Sequence, residues 1–323
     1  MKISDSGLFK RKSGTREFRK VYFIAFEGLT ELEYFTGIKN NKQRLGISNS
    51  IDVQLIERFE QNVGESDPLN ILECMHEYRE LIRTGIYSTR LFAGTLIEDI
   101  FHAISSTFEP KDLSPVQHDL YGLQKAMVNG MNASEDLSKD GFVLDGCWEK
   151  ATKFCAEIIE AKFPGYEKFV EVPKDRKIDT FDENLDIFCL VVDRDRGSRP
   201  SRIYKRILEK RESVNLYVSN PAFEFWLLLH SDYPINMSQD ESEKMRSNGK
   251  ENAFGRQISY AELKLIEVFG EYHKTNIGFE KHYLPKVNKA IENMDSFETD
   301  LVGLEHSLGS NVGVLLNRMK GNE

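Results

Sequence analysis

The 323-residue chain is 40% hydrophobic and carries 43 Lys and Arg against 52 Asp and Glu, a formal net charge of −9. That length and apolar content can bury a core as one large domain or two modest ones. The acidic balance excludes a globally basic nucleic-acid coat and leaves a local basic patch open. Four cysteines, Cys74, Cys147, Cys155 and Cys189, show no C-x-x-C spacing, so neither a disulfide framework nor a zinc site is indicated and a reducing cytoplasm is the expected setting. The start MKISDSGLFKRKSG lacks the apolar run of a signal peptide, and no stretch approaches the length of a membrane span, so a soluble protein with no membrane partner is expected.

In chain order, residues 1–20 form a polar arm in which Lys10, Arg11, Lys12, Arg16, Arg19 and Lys20 can touch phosphate. Val21 to Phe26 is an uninterrupted apolar run, the pattern of a parallel strand buried on both faces. Gly28 serves the short turn after it. Thr30 with Glu33 three residues on reads as a capping box, and Leu32, Phe35 and Ile38 recur at helical spacing. Ile51, Val53 and Leu55 alternate with Asp52 and Gln54 as a second strand, and Asp67-Pro68 opens a helix through Leu72, Met75, Tyr78 and Ile82.

From about Ile86 the rhythm becomes helical, with RLFAGTLIEDIFHAISSTF and GCWEKATKFCAEIIEAKF separated by polar linkers, which predicts a helical insertion over 86–185. The sheet resumes at Ile187 to Val192, followed by a basic helix from Ser201 with Ile203, Ile207 and Leu208 inward. VNLYVS is another strand, after which Asn220 caps and Pro221 opens the helix of NPAFEFWLLLH. A polar loop spans Ser238 to Asn252, and the remainder reads as helical, ending in NVGVLLNRMK. The fold class is α/β, with a mainly parallel sheet flanked by helices and a helical C-terminal part.

Acids end the strands best placed to be central. Glu27 closes the first, Asp193 and Asp195 close the third, and Glu224 follows the fourth. Ligands of open α/β sheets bind outside the carboxyl ends of the strands, and a D-x-D spacing points both carboxylates to one side where a strand continues. Carboxylates converging there repel unless a hard cation holds them, and oxygen donors are what Mg2+ or Mn2+ takes. Taken singly, each acid reads equally as a solvated strand-end charge, and Glu31 and Glu224 each also suit the positive end of a helix.

Three motifs carry a resemblance. FEGLTELEYF looks like the first motif of a Toprim domain, LVVDRDR resembles its D-x-D motif, and SNPAFEFWLLLH is very similar to the signature of the RloB-like family. The resemblance covers Arg16 to about Ile82 and Asp186 to the end, where NVGVLLNRM resembles the family's closing helix with Val314 in place of the expected Thr. It implies a Toprim-like (Rossmann-like) catalytic domain over 21–85 and 186–323, interrupted by the 86–185 insertion. It also implies metal-dependent nuclease chemistry in prokaryotic antiviral defence, linked with CRISPR and restriction-modification loci. Glu27 would match the first acid, as general acid or base and near the metal. Asp193 and Asp195 would match the metal-binding pair, with Glu224 beside them. The cofactor implied is Mg2+ or Mn2+.

Basic residues crowd the D-x-D: Arg194, Arg196, Arg199, Arg202, Lys205 and Arg206 are the candidates for holding a nucleic-acid backbone, and a solvated helix face accounts for them as well. Secondary candidates are Glu31, Asn220, His230 at its helix end, and Lys274 with His273 in EYHKTNIGFEKHY. Phe223, Phe225, Trp226 and Leu227 to Leu229 read as core. His76 and Cys74 share a helix without further ligands. The expected activity is an endonuclease on RNA, tRNA included, or on DNA. A module of another class, catalytically silent and binding a nucleotide or a partner, stands as the alternative. With no Walker A motif, a defence ATPase or CRISPR-derived activator would be a separate partner. The insertion is open to shaping substrate choice, sensing a trigger or forming a homodimer.

Overall fold

The computed structural model describes residues 19–56, 68–105, 113–172, 182, 185–194, 200–209 and 214–321, with side chains excepted at 102–105, 113–118 and 209. The basic arm through residue 18, and Asp195, Arg196 and Arg199, lie outside the described residues. Two compact units divide the chain, one built on Glu73–Asp182 and the other on Glu17–Glu57, Ser66–Leu72 and Glu183–Glu323.

The second unit holds the central sheet. Strand β1 (Lys20–Phe26) leads through a two-residue turn into α1 (Leu29–Asn40), and β2 (Ile51–Ile56) and α2 (Pro68–Thr84) follow. Helices α3 (Thr89–Ser105), α4 (Leu113–Asn132) and α5 (Trp148–Lys162), with the small strands β3 (Ser138–Lys139) and β4 (Phe142–Val143), lie in the first unit together with the α2 residues from Glu73 on. That unit has its own apolar core around Phe92, Leu96, Met127, Met131 and Cys155. The sheet then resumes with β5 (Ile187–Asp193), α6 (Pro200–Glu209), β6 (Val214–Asn220) and α7 (Phe223–Leu228). Helix α8 (Gln239–Ser247), a hairpin of β7 (Lys250–Ala253) and β8 (Arg256–Ser259), and α9 (Tyr260–Phe269) follow, then α10 (Phe279–His282), α11 (Val287–Met294), β9 (Gly309–Ser310) and α12 (Val312–Lys320).

The strand order is β2-β1-β5-β6-β9, with every pair parallel except β6 with β9. The fold is therefore α/β with a mainly parallel central sheet. Strands β1 and β5 are interior to it, and their apolar runs are buried on both faces, which is why they read as continuous rather than alternating. At the short β9 the chain passes so close to its neighbour that a Cβ on Gly309 would overlap the Glu298 carbonyl. Only glycine fits there.

Several sequence expectations are corrected in detail. No side chain caps α1, because Gly28 is its N-cap and the Thr30 hydroxyl goes elsewhere. Asn220 is the last residue of β6, and its amide is committed to the Leu304 carbonyl at 2.7 Å, so α7 starts from Ala222 instead. Leu208 is 58% exposed, while Ile203 and Ile207 do face inward. The stretch expected as a polar loop contains α8, started by a Ser238–Glu241 capping box, and strand β7.

The core of this unit has an aromatic centre. The Tyr34 ring of α1 meets Phe223, Trp226, His230, Phe279 and Tyr283 edge-on, with centroids 5.2 to 6.4 Å apart. These contacts fix α1 against α7. His230 is fully buried there, its Nδ1 facing the Trp226 and Leu227 carbonyls at 3.2 and 3.1 Å and its Nε2 facing Tyr34 Oη at 3.2 Å. Carbonyls only accept, so Nδ1 carries the proton and Nε2 accepts from tyrosine.

Burial lowers the His230 pKa from about 6.5 to about 3, against the two carbonyls that favour the charged form. Because the folded value is the lower one, the associated stability is present above pH 6.5 and is lost as pH falls. Denaturant unfolding should show a loss of roughly 2 kcal/mol between pH 6.5 and 5, at about 1.4 kcal/mol per pH unit. That increment should be missing from His230→Gln, whatever its stability at pH 7.

Candidate active site at the sheet's carboxyl edge

Strand β1 has β2 on one side and β5 on the other, so the strand order reverses between β1 and β5. That is the switch point at which ligands of open α/β sheets bind. Phe26 pairs with Val191, which puts Glu27 one residue past that level and Asp193 two residues past it on the adjacent strand. Neighbouring strands run about 4.8 Å apart. The two acids therefore crown the switch point together.

Asp193 is the focus of the cluster. Its Oδ1 accepts the Phe223 backbone N–H at 2.8 Å, so the acid at the end of β5 caps the start of α7 from outside that helix. Desolvation, then the carboxylates of Glu31, Glu27 and Glu224 in that order, push its carboxyl well above the usual carboxylate range, against the opposing Phe223 bond. Three carboxylates thus bear on one half-buried acid. Glu31 and Glu224 sit in the first turns of α1 and α7 and are both buried. Glu27 has its Oε1 buried.

Gly28 matters here for an unexpected reason. Its φ of −142° is open to any residue, but a Cβ there would stand 3.0 Å from Glu31 Oε2. The glycine makes room for the carboxylate.

Glu224 is held from the far end of the chain. Tyr272 donates its hydroxyl to Glu224 Oε1 at 2.8 Å and lies 2.9 Å from the Thr30 hydroxyl. Burial and the Glu224 charge push the Tyr272 pKa far up, so it stays a donor. Lys274 Nζ lies 3.6 Å from Glu224 Oε1 and 3.1 Å from Glu262 Oε1. Desolvation lowers its pKa, but Glu224 and Glu262 outweigh that and leave the ammonium raised. Glu262 meanwhile caps α9 with its other oxygen, accepting the Ser259 backbone N–H at 3.1 Å.

The donors are carboxylate oxygens throughout, the chemistry of a Mg2+ or Mn2+ site rather than a softer metal. Among the described residues no group of three or more His, Cys, Asp and Glu side chains is already gathered as a metal cage, and Asp195 lies outside those residues. In donor chemistry these residues fit a hard cation.

The chain matches the RloB-like protein family over residues 22–319, a span that includes the 86–185 region in which the sequence motifs found no counterpart. The chain belongs to that family. No curated protein and no solved structure matched it.

In this RloB-like chain the remaining candidates separate by place. Arg194 donates its backbone N–H to the Ser219 carbonyl and its Nε to the Glu305 carbonyl, at 2.8 and 3.1 Å, which aims it at the loop before β9. Arg202, Lys205 and Arg206 are exposed on α6, opposite the buried Ile203 and Ile207. Asn220 is bonded to Leu304, His230 belongs to the aromatic centre, and His273 is exposed. Cys74, Cys147, Cys155 and Cys189 are free thiols. Among the described residues no helix is long and apolar enough to cross a membrane. Sequence reasoning missed Tyr272, Glu262 and the hydroxyl role of Thr30. The Ser259-to-Glu262 capping spacing was the one signal available, and it points to a helix start rather than to a lysine.

The raised Asp193 carboxyl has a measurable consequence. A carboxyl with a raised folded pKa contributes stability that is fully present below its unfolded pKa, about 3.9, and is lost as pH rises through the folded value. In chelator at pH 8, Asp193→Asn should therefore melt above wild type, by roughly 2–4 °C for each kcal/mol recovered. The advantage should close below pH 4. The asparagine Oδ1 still accepts the Phe223 N–H, so the cap is retained.

Proposed function

We propose that the protein is a metal-dependent nuclease of Toprim type, with Glu27, Asp193, Asp195 and Glu224 holding Mg2+ or Mn2+ at the switch point. The observation that carries this reading is Asp193, a desolvated acid facing the carboxylates of Glu31, Glu27 and Glu224. Burying like charges together is costly unless a cation offsets them. Membership of the RloB-like family supports it further. Resemblance of the motifs adds the setting, prokaryotic antiviral defence, with RNA, tRNA included, or DNA as substrate.

A bound divalent ion would supply charge neutralisation on a phosphodiester and lower the pKa of the attacking water. The chain's own residues do the rest. Phe223 N–H fixes the Asp193 carboxylate, and Tyr272 and Lys274 fix Glu224. Glu27, at the end of β1, is the candidate to take or give a proton at the reacting phosphate. Arg202, Lys205 and Arg206, exposed on α6, are cations suited to a phosphate backbone.

The second reading, a silent module that binds a nucleotide or a partner, has one observation in its favour: the Lys274 ammonium already stands by Glu224. Turnover separates the two. Labelled DNA, total RNA and tRNA should be cut only with added Mg2+ or Mn2+, and Glu27→Gln and Asp193→Asn should each lower the rate at least about 100-fold, beyond what loss of a supporting contact costs. Calorimetry on the same proteins covers a nuclease held silent, since wild type should bind the metal and the variants bind it more weakly. Wild type that neither cuts nor binds metal contradicts the nuclease reading. Wild type that binds ligand through these acids without turnover favours the module.

A further inference from the structure

We infer that Tyr272 is a positioning residue for the acidic site, presenting Glu224 to the cation through a hydroxyl chain that also ties in α1. The inference rests on the metal reading of the site and goes beyond it, since it assigns a role to a residue that offers no metal-binding oxygen of its own.

The geometry is a three-member chain. Tyr272 Oη lies 2.8 Å from Glu224 Oε1 and 2.9 Å from Thr30 Oγ1, and all three side chains are buried. A carboxylate only accepts, so the single tyrosine proton goes to Glu224, and the Thr30 hydroxyl must donate to the tyrosine oxygen. The order Thr30 to Tyr272 to Glu224 follows.

The ends of this chain lie far apart in sequence, 242 positions between Thr30 and Tyr272 and 48 between Tyr272 and Glu224. Thr30 stands in the first turn of α1 beside Glu31, and Glu224 in the first turn of α7, where the Phe223 N–H meets Asp193. One hydroxyl therefore spans the two helix starts that flank Asp193. The arrangement leaves Glu224 Oε2 outside the Tyr272 bond, while Oε1 is occupied by Tyr272 and approached by Lys274 at 3.6 Å. A carboxylate fixed through one oxygen presents the other in a set direction. Partners that orient a metal-binding group in this way typically affect metal affinity by 10–100-fold.

The test is manganese titration by calorimetry on the full chain for wild type, Tyr272→Phe, Glu224→Gln and the double variant. Tyr272→Phe removes only the hydroxyl and should weaken Mn2+ binding about 10-fold, with no further loss when added to Glu224→Gln. A merely structural tyrosine would weaken both backgrounds alike, and that result overturns the proposal. So does a Tyr272→Phe protein that binds as wild type does, which leaves the metal reading standing. Absence of Mn2+ binding by wild type removes the metal reading and this inference with it. Should Tyr272→Phe fail to fold, Thr30→Val takes its place: it removes the donor to Tyr272 and should weaken binding in the same direction, again only with Glu224 present.

Discussion

Like charges gathered at the edge of a sheet repel, and the arrangement of this protein around its switch point is organised against that repulsion. Asp193 lies desolvated between the influences of Glu31, Glu27 and Glu224. Each of three opposing devices is visible. The Phe223 N–H at the start of α7 donates to Asp193, Tyr272 donates to Glu224, and Lys274 places an ammonium between Glu224 and Glu262. Two of these devices are neutral donors, and the third is shared between two carboxylates.

The same elements explain why the cluster is held in place. Tyr34 packs edge-on against residues of α7 and α10, so the helices that carry Glu31 and Glu224 share one aromatic core behind the acids. His230 sits in that core as a neutral ring and serves packing and hydrogen bonding. The parallel register of β1 and β5 carries Glu27 one residue and Asp193 two residues beyond the Phe26–Val191 pair, at the same edge of the sheet. Position therefore comes from the sheet, direction from hydrogen bonds, and rigidity from the aromatic centre. The 73–182 unit has a separate core.

How much of this was legible in the sequence depends on how local the cause is. β1, β5 and β6 are recognisable because a strand covered on both faces must be apolar along its length, and the acids that end β1 and β5 are conspicuous by contrast. The hairpin of β7 and β8 was hidden because most of its residues are exposed and polar, leaving no alternation to detect. Thr30 and Asn220 were given capping roles on good local grounds, yet tertiary partners took their side chains, Tyr272 in one case and Leu304 in the other. Leu208 followed helical spacing but falls on the open side of α6. Tyr272 itself had no local mark, since its meaning comes only from Glu224 and Thr30, which the fold brings to it.

We propose that the acids at the ends of β1 and β5, with Glu224, form a single divalent-cation site. The most direct test is anomalous diffraction from crystals soaked in Mn2+. The account predicts a peak at metal–oxygen distance, roughly 2.0–2.3 Å, from carboxylate oxygens of Glu27 and Asp193. A map without a peak at the β1–β5 switch point, or with manganese bound only elsewhere on the protein, would contradict it.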